Sequence, residues 1–191
     1  MSKIVATLAC IAALVPLPTL ARDVSGALKS FSVINIKPWL KDPAIIDALR
    51  EQNDRTADWD QARIDDLDAA WREASSAGTR SRQMEAVMSN PVTAVLRDYA
   101  ERSGYIVEII LMDAKGLNVG ATRAPSDFWQ GDEPKYQNTF LAGPDGVDTG
   151  EVEYDESAGV YAAQISLPVA DPASGELLGA ITVGVSTKAL D

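Results

Sequence analysis

At Gly104 the sequence changes its period, and no other feature constrains the fold as much. Upstream, apolar residues recur at helical spacing. The run "DQARIDDLDAAWREA" places Ile64, Leu67 and Trp71 at i, i+3 and i+7, along one helical face. In "KDPAIIDALREQN", Asp42 is a candidate N-cap, Pro43 takes the first helical position, and Ile45, Ile46 and Leu49 form one stripe. "SRQMEAVM" continues with Met84, Val87 and Met88 before Asn90-Pro91 interrupts. The next helix, "PVTAVLRDYAER", closes at Gly104, a residue suited to the left-handed position after a helix. Asp65, Asp66 and Asp68 are expected on the solvated outer side.

Downstream the period is two. Strands are expected at 105–112, 117–123, 149–157, 159–171 and 177–187, the first two joined by the turn "DAKG". Tyr161, Ala163, Ile165, Leu167 and Val169 share one face, as do Leu177, Ile181, Val183 and Val185. Tyr105 and Tyr161 are expected to face inward. Glu108, among Ile106, Ile110 and Met112, is expected to face solvent. Pro168 suggests an edge or a bulge. Helices followed by antiparallel strands predict an α+β fold, with a helical part at 39–104 and a sheet part at 105–187. The segment from Ala124 to Phe140 separates the second strand from the third. It must therefore cross a face of the sheet or round its edge.

The N-terminus reads as a secretory signal. Lys3 precedes an apolar run from Ile4 to Val15, Pro16 and Pro18 break it, and Thr19-Leu20-Ala21 supplies small residues at −3 and −1. Cleavage is expected after Ala21, leaving one domain over 22–191 in the periplasm or outside the cell. The competing reading, a retained membrane anchor, is weakened by the prolines and by the shortness of the run. Cleavage would remove Cys10, the only cysteine, and would take the net charge from −11 to −12 through loss of Lys3.

That charge disfavours nucleic-acid partners, which need a cationic surface against phosphate. The chemistry is narrowed further by what the sequence lacks. It has no histidine, and cysteine occurs once, within the leader. Histidine-based acid–base catalysis, Ser–His and Cys–His nucleophiles and soft metal sites are thereby excluded. No GxGxxG or GxxxxGK[ST] occurs, and no cofactor is expected. Asp132 and Glu133 are adjacent, so in an extended segment they point to opposite sides and make a poor catalytic pair. The acids of "PDGVDTGEVEYDE" do not follow the EF-hand order of ligands, and they read as an acidic loop and strand rather than a calcium site.

"MDAKGLNVG" followed by "SDFWQGDEPKY", with "GELLGAITVGVS" near the end, resembles the extracytoplasmic Cache domains, also called PDC sensor domains. The resemblance runs from about Trp39 to Ser186. It implies a PAS-like, five-stranded antiparallel sheet with long N-terminal helices packed on one face. It also implies a small molecule bound between the sheet and the segment that crosses it, here Ala124 to Phe140. Most members of the family sit between membrane helices and feed a kinase, cyclase or chemoreceptor module, and many pair through the N-terminal helix. A homodimer and a separate membrane sensor kinase or chemoreceptor are therefore the implied partners, because this chain ends at Asp191 directly after its last strand.

The candidate ligand-binding residues centre on that segment. Trp129 and Tyr136 offer aromatic walls. Asp127, Asp132 and Glu133 could accept from an ammonium, and Gln130 both donates and accepts. Arg123, with Lys135, could meet a carboxylate. Tyr105 and Tyr161 complete the set. The acid excess favours an amino acid or an amine over an organic acid. The alternative is that Phe128, Trp129 and Phe140 simply cap the core. Two other functions compete with a metabolite sensor: a ligand-free interaction module and a carboxylate-based hydrolase. A non-enzymatic role is expected.

Overall fold

The computed structural model describes residues 23–190; the leader and Cys10 lie outside the described residues. The helical part contains α1 (Val24–Asn35), α2 (Pro43–Thr56), α3 (Gln61–Ser76), α4 (Arg82–Ser89) and α5 (Pro91–Ser103). Local chemistry sets their ends. Asp42 accepts from the Ala44 amide at 2.9 Å and Pro43 opens α2. Ser81 caps α4, and Asn90 caps α5 ahead of Pro91. Gly104 ends α5 at φ 66°, where an L side chain would be strained. Among the described residues no helix is long and apolar enough to cross a membrane.

The remaining chain builds a six-stranded antiparallel sheet from β1 (Ile106–Asp113), β2 (Asn118–Ala121), β3 (Asp148–Thr149), β4 (Glu153–Asp155), β5 (Val160–Ala170) and β6 (Leu177–Ser186). Their order is β2-β1-β6-β5-β3, with β4 also paired to β5. The strand expected over 149–157 is therefore two short pieces laid along one edge. Gly150 still donates to the Gln164 carbonyl at 2.9 Å, but Glu151 and Val152 leave the ladder. With the two pieces counted as one, the architecture is the α+β, PAS-like, five-position sheet that the sequence implies.

Cross-strand register sorts the side chains into two faces. Ile109, Val183 and Ile165 form one row, and Leu111, Ile181 and Leu167 the next. These rows pack against Leu28 of α1, Leu49 of α2 and Leu96 of α5, all fully buried. The principal core thus lies between the helices and one face of the sheet, and apolar burial there drives folding. A second cluster joins Ile64 and Trp71 of α3 to Met84, Val87 and Met88 of α4, beside Leu117, Ala121 and Phe128.

Two expectations fail here. Tyr105 and Tyr161 do not face inward; they are 47% and 59% exposed. Tyr105 precedes β1, and Tyr161, opposite Tyr154 in the β4–β5 pair, meets that ring edge-on at 5.2 Å. Asp68 is not on the solvated side of α3 but is buried.

Candidate functional site

The segment after β2 does both things left open by the sequence. Its first part rounds the sheet edge. Trp129 bridges to Leu117 in antiparallel fashion, the Asn118 amide donates to the Phe128 carbonyl at 3.1 Å, and the Gln130 amide donates to the Gly116 carbonyl at 2.8 Å. This edge piece is fastened to α3. One carboxylate oxygen of Asp68 accepts from the amides of both Phe128 (2.8 Å) and Trp129 (3.0 Å), and Trp71 Nε1 donates to the Pro125 carbonyl at 2.9 Å. Gly116, at φ 79°, is required by the close crossing: a Cβ there would lie 2.7 Å from the Gly131 Cα.

The second part crosses the other face of the sheet. A short helix, α6 (Pro134–Gln137), brings in Tyr136, whose hydroxyl donates to the Ala114 carbonyl at 2.6 Å. Burial pushes the Tyr136 phenol well above its ordinary range. Tyr136 stacks on Phe140 at 5.4 Å, and both pack on Ile110, Met112 and Ala180.

This covered face changes character along its length. The row Met112, Ala180 and Pro168 is apolar. The next, Ile110, Thr182 and Ser166, is mixed, with the two hydroxyls 2.9 Å apart and buried. The third row is Glu108, Gly184 and Gln164, and it is the floor of a cavity of about 390 Å³. Gly184 contributes no side chain, so the floor is low at its centre. The walls are Glu151, Glu153, Tyr154, Asp155 and Ser157 from the interrupted edge strand, with Arg123 from the end of β2.

Arg123 spans the cavity. Its guanidinium reaches Asp155 at 3.2 Å and also donates to the Ser157 hydroxyl. Arg123 follows β2 at one edge of the sheet and Asp155 ends β4 at the other, so this ion pair closes over the strands between them. Ser157 and the amide of Ala158 hold the Asp155 carboxyl below the usual carboxylate range, with Arg123 adding to the effect. Glu108 is the reverse case. Burial raises its carboxyl above the usual range and nearby Asp155 adds to this, while Lys135 and Arg123 oppose it. Glu108 therefore does not face open solvent as its alternation suggested. It keeps the alternation of Ile110 and Met112 and lies on the half-buried floor, while the irregular pairing between Ile106 and Glu108 turns Ile106 to the helix-covered face.

Of the nine residues singled out in the sequence, Arg123 alone lines this cavity. Asp127 and Gln130 serve each other: the Gln130 amide nitrogen donates to the Asp127 carboxylate and its Oε1 accepts from Lys135 at 3.1 Å. Asp127 also lies 3.5 Å from Arg72. Trp129 Nε1 donates to the Lys115 carbonyl at 2.9 Å, and the ring packs on the second cluster. Glu133 pairs with Lys135 at 3.0 Å, Asp132 is exposed, and Tyr136 is committed to the core of the covered face. The cavity residues missed in the sequence are Glu108, Gln164, Glu151, Glu153 and Asp155. The excess of acids in "GEVEYDE" was the available signal, and it read as a plain acidic strand because cross-strand register is not local.

Among solved structures the chain is similar to the sensor domain of the Vibrio cholerae histidine kinase DctB, with 15% identity over 87% of this chain and 52% of that one, TM-score 0.42. It is similar to the Escherichia coli DcuS sensor domain, with 11% identity over 87% and 92% of the two chains, TM-score 0.47. A third is the ligand-binding domain of the Pseudomonas aeruginosa PAO1 amino-acid chemoreceptor PctC in complex with GABA, with 19% identity over 63% and 56%, TM-score 0.40. The chain spans about half the length of the first of these. The first two are sensor domains and the third is a ligand-binding domain. No family model and no curated protein matches the chain.

Proposed function

We propose that this protein is an extracytoplasmic sensor of the Cache type, which binds an amine or amino acid in the cavity above Glu108, Gly184 and Gln164. One observation carries the reading: four carboxylates, from Glu108, Glu151, Glu153 and Asp155, share a cavity with a single arginine that closes over it. An ammonium group would meet the acids, and its charge would offset the cost of Glu108's burial. A carboxylate on the same ligand would compete with Asp155 for Arg123. That competition ties binding to the Arg123–Asp155 closure, and so to the relative placing of the two sheet edges. A partner that reads the change, a membrane sensor kinase or chemoreceptor, follows from the resemblance in the sequence, as does pairing as a homodimer, and secretion follows from the N-terminal signal pattern. No catalytic role is proposed.

A thermal-shift screen of amino acids, amines and organic acids tests this. A binder raises the melting temperature, and the rise grows with the logarithm of its free concentration above Kd. Arg123→Ala should weaken an amino acid more than the corresponding amine, because only the amino acid uses the guanidinium. A hit confined to dicarboxylic acids would overturn the ligand class. No hit in the whole set would overturn the sensor reading in favour of an interaction module.

A further inference from the structure

A groove of about 780 Å³ opens on the helical side, along the seam between the two apolar clusters. Of the residues lining it, Val92 and Val119 belong to the principal core, and Val87 and Phe128 to the second cluster. The groove shares no lining residue with the cavity above Glu108.

Its walls are helices. Ala44, Ala48, Glu51 and Arg55 of α2 line it at i, i+4, i+7 and i+11, a span of about 16 Å at the helical rise. Arg63 and Leu67 of α3, with Trp59 one turn ahead of Arg63, line it from another side, and α4 adds Arg82 and Ala86. Ala44, Ala48, Trp59 and Leu67 are only half-buried, so apolar surface stays wet along its length. Amides and carbonyls inside these helices are already paired. The walls therefore offer an extended segment no backbone partners, whereas a helix arrives with its own bonds made.

The charge in the groove is lopsided. Its acids, Asp47 and Glu51, are both on α2 and both matched: Asp47 lies 3.6 Å from Arg50, and Glu51 lies 3.7 Å from Arg55. To the same lining α3 and α4 contribute Arg63 and Arg82 and no acid. Arg63 lies over the Trp59 ring at 4.1 Å, and neither arginine pairs with a carboxylate among the described residues. In a chain of net charge −11, this side of the groove is a local cationic strip.

We propose that the groove is a docking surface for an acidic, amphipathic helix of a partner protein. The apolar stripe of that helix fills the seam and joins the two clusters, and acids along one flank meet Arg63 and Arg82. This proposal does not rest on the sensor reading of the other cavity.

The test is fluorescence anisotropy of a labelled, end-capped synthetic peptide of about four helical turns, with leucine at i, i+4, i+7 and i+11 and glutamate on both flanks. One control replaces every glutamate by lysine and another replaces every leucine by alanine. The acidic peptide should bind one per chain, with each control about ten-fold weaker or more. General attraction to a chain of net charge −11 predicts the opposite order for the glutamate and lysine peptides. The double variant Arg63→Glu, Arg82→Glu should reverse the preference in favour of lysine. Ala86 is an exposed residue of the α4 wall, and Ala86→Glu should weaken the acidic peptide at least ten-fold while leaving the circular dichroism spectrum unchanged. No binding of the acidic peptide at millimolar concentration, tighter or equal binding of the lysine peptide, or an unchanged preference in the double variant would each overturn the proposal. Saturable binding of dodecanoate without binding of the acidic peptide would overturn it in favour of a small apolar anion. Self-association that is lost in the double variant would overturn it in favour of a second copy of this chain.

Discussion

The two faces of the sheet are built from alternate residues of the same strands, yet one is filled and the other is not. On the helix-covered face, successive rows read Ile109, Val183, Ile165 and then Leu111, Ile181, Leu167, with no polar side chain. Three helices lie across them. On the opposite face the rows grade from Met112, Ala180 and Pro168 to Glu108, Gly184 and Gln164 over two steps of register. One short helix covers the apolar end, and the polar end is left as a cavity under an ion pair. The lesson is that burial alone would have closed both faces. A row holding a half-buried acid, a glycine and an amide opposes closure by protein atoms, because each polar group needs a partner that the crossing segment does not supply. That row is suited to a guest that brings partners of its own.

The contrast can be broken most severely on the filled face. Leu111→Ala removes a fully buried side chain and should cost about 2–5 kcal/mol in denaturant unfolding. Next comes the fastening of the edge piece. Asp68→Ala strips two amides of their acceptor and Arg72 of its partner at 2.7 Å, and should cost about 2–3 kcal/mol. An effect under about 0.5 kcal/mol would mean that the edge pairing of Trp129 and Leu117 holds by itself. On the partly covered face, Tyr136→Phe loses only the bond to Ala114 and should cost about 1 kcal/mol.

The smallest expected effect has the opposite sign. Glu108 has a raised folded-state carboxyl, so the native state holds its proton to higher pH than the unfolded chain does. Stability is then lost as pH rises from the ordinary carboxylate range through the raised value. Glu108→Gln removes that loss. The variant should melt a few degrees higher than wild type near pH 7, roughly the shift that 1 kcal/mol gives, and should match it near pH 3. A lower melting temperature near pH 7 would show that Glu108 is already stabilised by a partner in the protein.

How much of this was legible follows from how local each signal is. Asp42-Pro43, Asn90-Pro91 and Gly104 announced helix ends because capping is settled within four residues. Alternation in β5 and β6 announced the inner face, since Ala163, Ile165, Leu167 and Val169 follow a strict period of two. The same rule failed at Tyr161, because periodicity gives a direction and not what covers it; the ring is exposed and lies edge-on to Tyr154. The path of the crossing segment was not legible. Its pairing to residues 116–118 and its hold on Asp68 join positions far apart in sequence. For the same reason Trp129 stood out as a pocket wall, although its ring nitrogen is spent on Lys115, and Glu108 read as a solvent-facing acid rather than a cavity residue.

The account stands on the polar row being the seat of the ligand. Titration calorimetry of the strongest amine or amino-acid hit into wild type, Glu108→Gln and Trp129→Ala tests it most directly. Glu108→Gln should weaken binding by about ten-fold or more, as loss of a charge-assisted contact implies. Trp129→Ala should lower stability yet bind with wild-type affinity at a temperature where it remains folded. Unchanged affinity in Glu108→Gln together with lost binding in Trp129→Ala would contradict the account and move the site to the edge piece.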